Sequence, residues 1–480
     1  MQLDEPRRIS RIQADIPQAA LAAGWVPLIA VATAGFSLGF FAWYGLVLPA
    51  HHPTLTAAGL PLLVLAGAVT VLWAWQGYSN YFASRTGIKY HRALQYDAAS
   101  WAVFIFLWLA FLLPIWFTHG GVRLFVYCAA LFCITKLAVA ARFNETVRDV
   151  SIDFIVTRFA IIVIAELAAV IIGQRAGAHV QESRTLLLAV WGRWDAVHYL
   201  DIATIGYHGT DVAFFPLYPL LIAILGGLIG NHLIAGLVVS NVALFFALLY
   251  LYKLVEHEFD RPVARRAIFY ISIFPTAVFF SAVYTESLFL MLTVASFYYI
   301  RERSWWLAGF IGLLAATTRI EGILLVVPFA IEWYAAHAPL REAERKPRSP
   351  YYDLAPIVLI PLGLVLYMAY LWVLTGDPLA FSHVQHYWNR QLAFPWTSIG
   401  NSIHKIATAV GPQTIANQIL ELAFTALMIG VLIGGFRKLK ASYIAYMSLS
   451  ILMPLCTASL MSMPRFALVL FPMFAILALW

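Results

Sequence analysis

The sequence predicts an all-α polytopic membrane protein, a bundle of about 14 transmembrane helices whose large outer loop carries amphipathic interfacial helices. Three observations predict it. Hydrophobic residues make up 62% of the 480-residue chain and charged residues 11%, against about 25% charged in soluble domains. Mean hydropathy is +0.80. Apolar runs close to the roughly 20 residues that cross a bilayer recur along the whole chain, separated by short polar loops.

The first run, residues 24–48, is too long for a signal-peptide core and lacks a convincing cleavage site, so it reads as a retained helix. Further spans are expected near 59–78, 99–117, 124–140 and 152–173. After a long loop come 233–252, 267–280, 283–300, 305–318, 322–337, 354–375, 415–435, 441–459 and 466–480. Residues 1–150 hold four spans and no motif, and read as an N-terminal membrane extension. Residues 151–480 form the second domain, with residues 174–232 as its outer loop. Cys128, Cys133 and Cys456 fall inside spans without CxxC or other metal-type spacing, and read as small apolar side chains. The net charge of +7 is spread over short loops, a topological pattern and not a nucleic-acid footprint.

Residues 213–230 decide the sidedness. The run is apolar enough to cross, yet short and interrupted by Pro216 and Pro219. If it does not cross, the cytoplasmic loops collect 21 of the 31 Lys and Arg and the outer side holds 8. If it crosses, 12 lie inside and 17 outside. The excess of positive charge on cytoplasmic loops favours the non-crossing reading, with a cytoplasmic N-terminus. The unusual polar clusters then all face outward: the 174–232 loop, Tyr284-Thr-Glu-Ser287, Thr317-Thr-Arg-Ile-Glu321, the 376–390 loop and Met463-Pro-Arg465.

Ionisable groups kept beside hydrocarbon are costly, which makes these clusters functional candidates. A helix over 191–202 puts Asp195, His198 and Tyr199 on one face by i, i+3, i+4 spacing. Trp191, Trp194 and Ile202 would rest in the interface. Such a helix offers a carboxylate for catalysis, or is an ordinary interfacial helix. Asp201 is a direct participant or a capping carboxylate. Glu286 and Arg319 read as an intramembrane ion pair, with each other or with Glu321, or Arg319 binds a phosphate through its fork of donors. Arg465 is a second phosphate contact or an interface anchor. His383, His386, Trp388 and Arg390 suit stacking on a sugar or gripping a head group, or form a surface lid. No GxGxxG, P-loop, HExxH or GxSxG stands in a suitable context. The longest cytoplasmic loop, about fifteen residues around 338–352, is too small for a nucleotide-handling domain.

The segment Arg193-Trp-Asp-Ala-Val-His-Tyr-Leu-Asp-Ile-Ala-Thr-Ile-Gly-Tyr207, with Phe214-Phe-Pro-Leu-Tyr-Pro219, resembles the signature of PIG-V-type mannosyltransferases. That family includes the enzyme adding the second mannose in glycosylphosphatidylinositol anchor assembly, and many prokaryotic relatives. Ser240-Asn241, Phe274-Pro-Thr276, Ser281-Ala-Val-Tyr-Thr-Glu-Ser-Leu-Phe289, Thr318-Arg-Ile-Glu-Gly322 and Gly376-Asp-Pro-Leu-Ala-Phe381 extend the resemblance over roughly 150–480. Some members have Arg-Ser/Pro-x-Gly where this chain has Arg319-Ile-Glu-Gly322.

The resemblance implies a GT-C glycosyltransferase fold and a sugar donor on a polyprenyl or dolichyl monophosphate. It also implies Asp195 as the base, inversion at the anomeric centre, and an extracytoplasmic active site in a prokaryotic cell membrane. The acceptor would be lipid-linked or part of the cell envelope. No cofactor and no obligatory metal are expected, since the acidic residues are not paired as DD or DxD, and nucleic acid is not an expected partner. Candidate contacts to donor and acceptor are Arg193, Trp194, His198, Tyr199, Asp201, Tyr207, Glu286, Arg319, Glu321, Asp377, His383, His386 and Arg465. The rival reading is a flippase or transporter of lipid-linked sugar, against which stands the lack of an inverted repeat.

Overall fold

The computed structural model describes residues 144–172, 186–337, 350–409 and 411–480, with Leu137 and Ala141 as isolated positions. The four spans expected within residues 1–150, and the extension they would form, lie outside the described residues. So does the start of the outer loop.

Residues from Thr146 onward pack as one unit. Numbered from the N-terminus, its helices of seven or more residues begin with α1 (Glu145–Ile172), α2 (Asp195–Ile205), α3 (Leu217–Ile229), α4 (His232–Glu258) and α5 (Arg261–Ser272). Next come α6 (Glu286–Arg301), α7 (Trp305–Ala316), α8 (Val326–His337), α9 (Leu359–Thr375) and α10 (Pro395–Thr408). The last are α11 (Pro412–Gly435), α12 (Ala441–Leu455), α13 (Met463–Val469) and α14 (Phe471–Leu479). Among the described residues four stretches are long and apolar enough to cross a membrane: His232–Glu258, Ile320–His337, Tyr351–Thr375 and Pro412–Gly435. Shorter apolar helices at Leu217–Ile229, Trp305–Ala316 and Ala441–Leu455 pack among them.

Two expected spans are broken. Span 267–280 is α5 ending at Ser272, followed by a 3-10 turn at Ala277–Phe280. Pro275 lacks the N–H that continuation needs and disfavours helix at the residue before it. The carbonyls this break leaves open are taken by a cation from another helix. Buried Arg158 of α1 donates through Nη1 to the Ala277 carbonyl (3.0 Å) and through Nη2 to the Ser272 carbonyl (2.5 Å). Span 466–480 is likewise two helices, α13 and α14, meeting at Leu470 with Pro472 in the first turn of α14.

The helix α10 was not expected at all. Its apolar residues lie on one face, so no continuous apolar run marks it. Helices α7 and α9 approach closely through glycine. A Cβ on Gly309 would collide with the Pro356 carbonyl oxygen, and one on Gly363 with the Leu313 carbonyl oxygen. Small residues that let backbones meet are a main means of packing helices inside membranes. Gly376, at φ 76°, then ends α9 in the left-handed conformation that glycine adopts without penalty.

The two ends of the unit differ in chemistry. At one end Arg301 joins Glu258 (2.6 Å) and Glu332 (2.6 Å), Lys440 reaches Glu258 (2.8 Å), and Ser442 donates to Glu332 (2.5 Å). Nearby, Arg265 grips Asp149 with two bonds of 2.8 Å. Helix α6 runs from Glu286 to Arg301, so Glu286 stands about 22 Å away, given the rise of about 1.5 Å per residue.

Candidate active site

The loop before α2 is pinned before the helix starts. Trp191 was expected at the membrane interface, but it is buried. Its Nε1 donates to Glu166 (2.9 Å), and its carbonyl accepts from the Val283 N–H (3.1 Å). The Arg193 carbonyl accepts from the Tyr284 hydroxyl at 3.0 Å. Between these anchors and α2, Trp194 is forced to φ 56°, a region bulky residues avoid. Such strain costs about 1–3 kcal/mol and persists only where the surroundings over-determine the backbone. The turn makes Asp195 the first residue of α2, while the Trp194 ring is left 70% exposed.

Asp195 opens a ladder of alternating charge. Arg465 Nη1 donates to Asp195 Oδ2 (2.5 Å), and Arg465 Nε to Glu286 Oε1 (2.7 Å). Arg319 Nη1 reaches the same Glu286 oxygen (3.3 Å), and its Nη2 reaches Glu321 Oε1 (3.0 Å). The five groups come from α2, α6, α13 and the segment linking α7 to α8. Glu286 is wholly buried, and its Oε2 has no partner. Aromatic faces cover both guanidinium groups: Phe279 and Tyr284 lie 5.3 and 4.7 Å from Arg465, and Phe289 and Phe466 each lie 5.5 Å from Arg319. These are cation–π distances. The ion-pair reading of Glu286, Arg319 and Glu321 holds, and it includes Arg465, which is no isolated interface anchor.

Burial raises the cost of the Asp195 charge, and Arg465 more than reverses this, holding the carboxyl below its ordinary value. The group stays ionised through the physiological range.

Asp195, Arg319, Glu321 and Arg465 of the ladder line a cavity of about 530 Å3, together with Tyr199, Trp388 and Arg390. That volume is in the range of small-molecule sites, roughly 300–1,000 Å3. Tyr199 is buried with its hydroxyl 3.4 Å from Thr285 Oγ1. Apolar side chains, among them Met453, Pro454 and Met461, line the cavity too.

The remaining candidates divide into supports and surface residues. His198 holds Asp211 through Nδ1 (2.7 Å) and stacks on Phe214 (4.5 Å), with the Trp388 edge 6.3 Å away. Buried Asp211 is a partner that the sequence reading did not single out as a site residue; its only signal is an acid in the same polar loop. Asp201 is half-buried behind this pair, its carboxyl pushed up by burial and by Asp211. Tyr207 donates to the Phe214 carbonyl (2.9 Å), and Tyr367 of α9 donates to Val212 (2.8 Å) and Phe214 (3.1 Å). Tyr207 therefore holds the Phe214-Phe215 strip in place and does not reach the cavity. Asp377 accepts from the Leu379 N–H (2.9 Å) and from His383 Nδ1 (2.7 Å), an exposed turn that orders the loop bearing Trp388 and Arg390. His386 is exposed, and Arg193, its Nε without a hydrogen-bond partner, does not line the cavity.

Comparison with known proteins is consistent with this geometry. Residues 176–331 match the family described as Mannosyltransferase (PIG-V). The chain is 27% identical over 237 residues to GPI mannosyltransferase 2 of Schizosaccharomyces pombe, covering 45% of this chain and 50% of that one. It is 33% identical over 144 residues to GPI mannosyltransferase 2 of Cryptococcus neoformans var. neoformans serotype D, covering 27% and 34%. GPI alpha-1,6-mannosyltransferase 2 of Rattus norvegicus is 31% identical over 226 residues, covering 44% and 42%. The chain thus spans half or less of the length of these curated relatives. No solved structure matches it. The stretch that is similar to the PIG-V mannosyltransferase family contains Asp195, Glu286, Arg319 and Glu321, four of the five members of the ladder.

Proposed function

We propose that this protein is an integral membrane glycosyltransferase of GT-C type. It transfers mannose from a polyprenyl or dolichyl monophosphate to a lipid-linked or envelope acceptor on the extracytoplasmic face. The observation that carries the reading is Asp195, an ionised carboxylate lining a cavity that combines charged and apolar side chains.

In the proposed reaction the acceptor hydroxyl oxygen attacks the anomeric carbon from the face opposite the phosphate. The new C–O bond forms as the bond from carbon to phosphate oxygen breaks, and configuration inverts. The electron pair leaves on the phosphate, which becomes a monoester, and the hydroxyl proton passes to Asp195. With Oδ2 committed to Arg465, Oδ1 is the oxygen assigned to receive it. A carboxylate with a lowered pKa is a weak base, so it accepts the proton late, when the attacking oxygen has become acidic. Arg465 fixes its orientation and its ionisation, and the cavity holds both substrates in line.

The outward placement of the cavity rests on the distribution of Lys and Arg. The ends of α4, α6 and α11 remote from the cavity are followed by Arg261, Arg303 and Lys438, members of the positive set. The test incubates purified protein in lipid with labelled polyprenyl-phosphate mannose and membrane extract, beside Asp195→Asn, and follows label into new glycoconjugates by mass spectrometry. Transfer by the wild type and a loss of about a hundredfold or more in the variant are expected. Equal transfer by both would remove the base from Asp195. Absence of transfer from mannose, glucose and arabinose donors alike would favour a flippase.

A further inference from the structure

The ladder leaves a question of charge. Its three carboxylates outnumber its two guanidinium groups, so its formal charge is −1. Arg319 and Arg465, the cations that the sequence singled out for phosphate, are each committed to two carboxylates. Neither has positive charge to spare for an anion. A third guanidinium lines the same cavity. Arg390 donates to the Met461 carbonyl (3.1 Å) and to Gln385 Oε1 (3.5 Å), both neutral acceptors, and no carboxylate lies within ion-pair distance of it among the described residues. Its neighbour Leu392 lines the cavity and is 96% exposed, and beyond it Phe394 and Trp396 stack with ring centroids 4.8 Å apart and outer faces bare. A cation with uncommitted charge therefore stands where the cavity opens onto an apolar lip.

We infer that Arg390 anchors the phosphate of a lipid phosphate, whose hydrocarbon tail leaves the cavity over Leu392, Phe394 and Trp396. The inference rests on the donor class proposed above and gives it a place. The phosphate passes from one negative charge to two as the sugar leaves, so a cation here stabilises product more than substrate and pulls the reaction forward. Gln385 and the Met461 carbonyl hold the guanidinium toward the cavity without neutralising it.

The test measures equilibrium binding of a labelled long-chain polyprenyl phosphate to the full-length protein in lipid nanodiscs. Farnesyl phosphate and inorganic phosphate serve as competitors, and mannose transfer is assayed in parallel. R390Q is expected to raise the dissociation constant about tenfold or more. Q385E, which keeps the arginine and sets a carboxylate against it, is expected to do the same, so a misfolded R390Q would not leave the matter open. K405Q, the same charge change on the outer face of α10, is expected to bind as the wild type. Leu392→Ser is expected to narrow the preference for the long chain over farnesyl phosphate. Wild-type binding of R390Q and Q385E, with mannose transfer intact, would overturn the inference and leave the proposed function standing. Arg390-dependent binding without any transfer would keep the site and overturn the transferase reading. Inorganic phosphate competing as well as the long-chain lipid would replace the lipid by a soluble phosphate ligand and overturn the inference.

Discussion

The proton on Asp195 is under two opposed influences. Burial alone would raise its pKa; Arg465 brings it below the ordinary 3.8. Because the folded value lies below the unfolded one, the ion pair contributes its full stability above about pH 3.8 and loses it as pH falls through the folded value. The acidic limb of kcat/KM is therefore expected below pH 3.8. Arg465→Gln removes the lowering influence and leaves burial, so the limb should move up. An unmoved limb in a pH–rate profile of that variant would assign the limb to another group. At this scale the sequence was largely readable. Asp195, Glu286, Arg319 and Arg465 stand out because each is ionisable beside a long apolar run. Their pairing was not readable, since Arg465 is 179 residues from Glu286 and 270 from Asp195. Nor does any local pattern show that Tyr207 and Asp377 serve the backbone and not the cavity. Their partners, Phe214, Leu379 and His383, lie only two to seven residues away, but whether the side chain turns to them or to a cavity depends on the fold around it.

Elements were legible wherever one apolar run makes one helix. They were misread where proline divides such a run, at Pro275 and Pro472, and where apolar residues occupy one face only, as in α10. Nothing in the local sequence announced that a cation from α1 closes the break after α5, because the bond spans 119 residues. The contact between α7 and α9 matters more for the site than either helix alone, since α9 carries the Asp377 turn and the loop that ends at Arg390. Gly309→Val drives a branched side chain into the Pro356 carbonyl, in the 3-10 turn that leads into α9, and must push that turn away from α7. A loss of about 1–3 kcal/mol is expected, read as a lower apparent Tm in detergent, with transfer falling as the loop shifts. Wild-type values for both would show that the contact is not needed to place the loop.

Across the described unit, charge orders the two ends: an alternating ladder with aromatic faces at the cavity, and the Glu258–Arg301–Glu332 cluster with Lys440 at the other. The sidedness proposed from the loops has a direct check. With Cys128, Cys133 and Cys456 replaced by alanine, single cysteines at Gln391 and Lys438 are expected to label differently with a membrane-impermeant thiol reagent. The Gln391 position should react in intact cells, and the Lys438 position only after permeabilisation. The reverse pattern would place the cavity in the cytoplasm and remove the extracytoplasmic reading. The ladder also sets an order of events during synthesis. Asp195 and Glu286 leave the ribosome long before Arg465, and through that interval the nascent bundle holds carboxylates that Arg319 alone cannot balance. The wall that is to face the substrates closes only when α13 arrives, so a half-made chain keeps a polar seam open to lipid and water. The pairing that orients Asp195 therefore waits on α13, one of the last helices to be made.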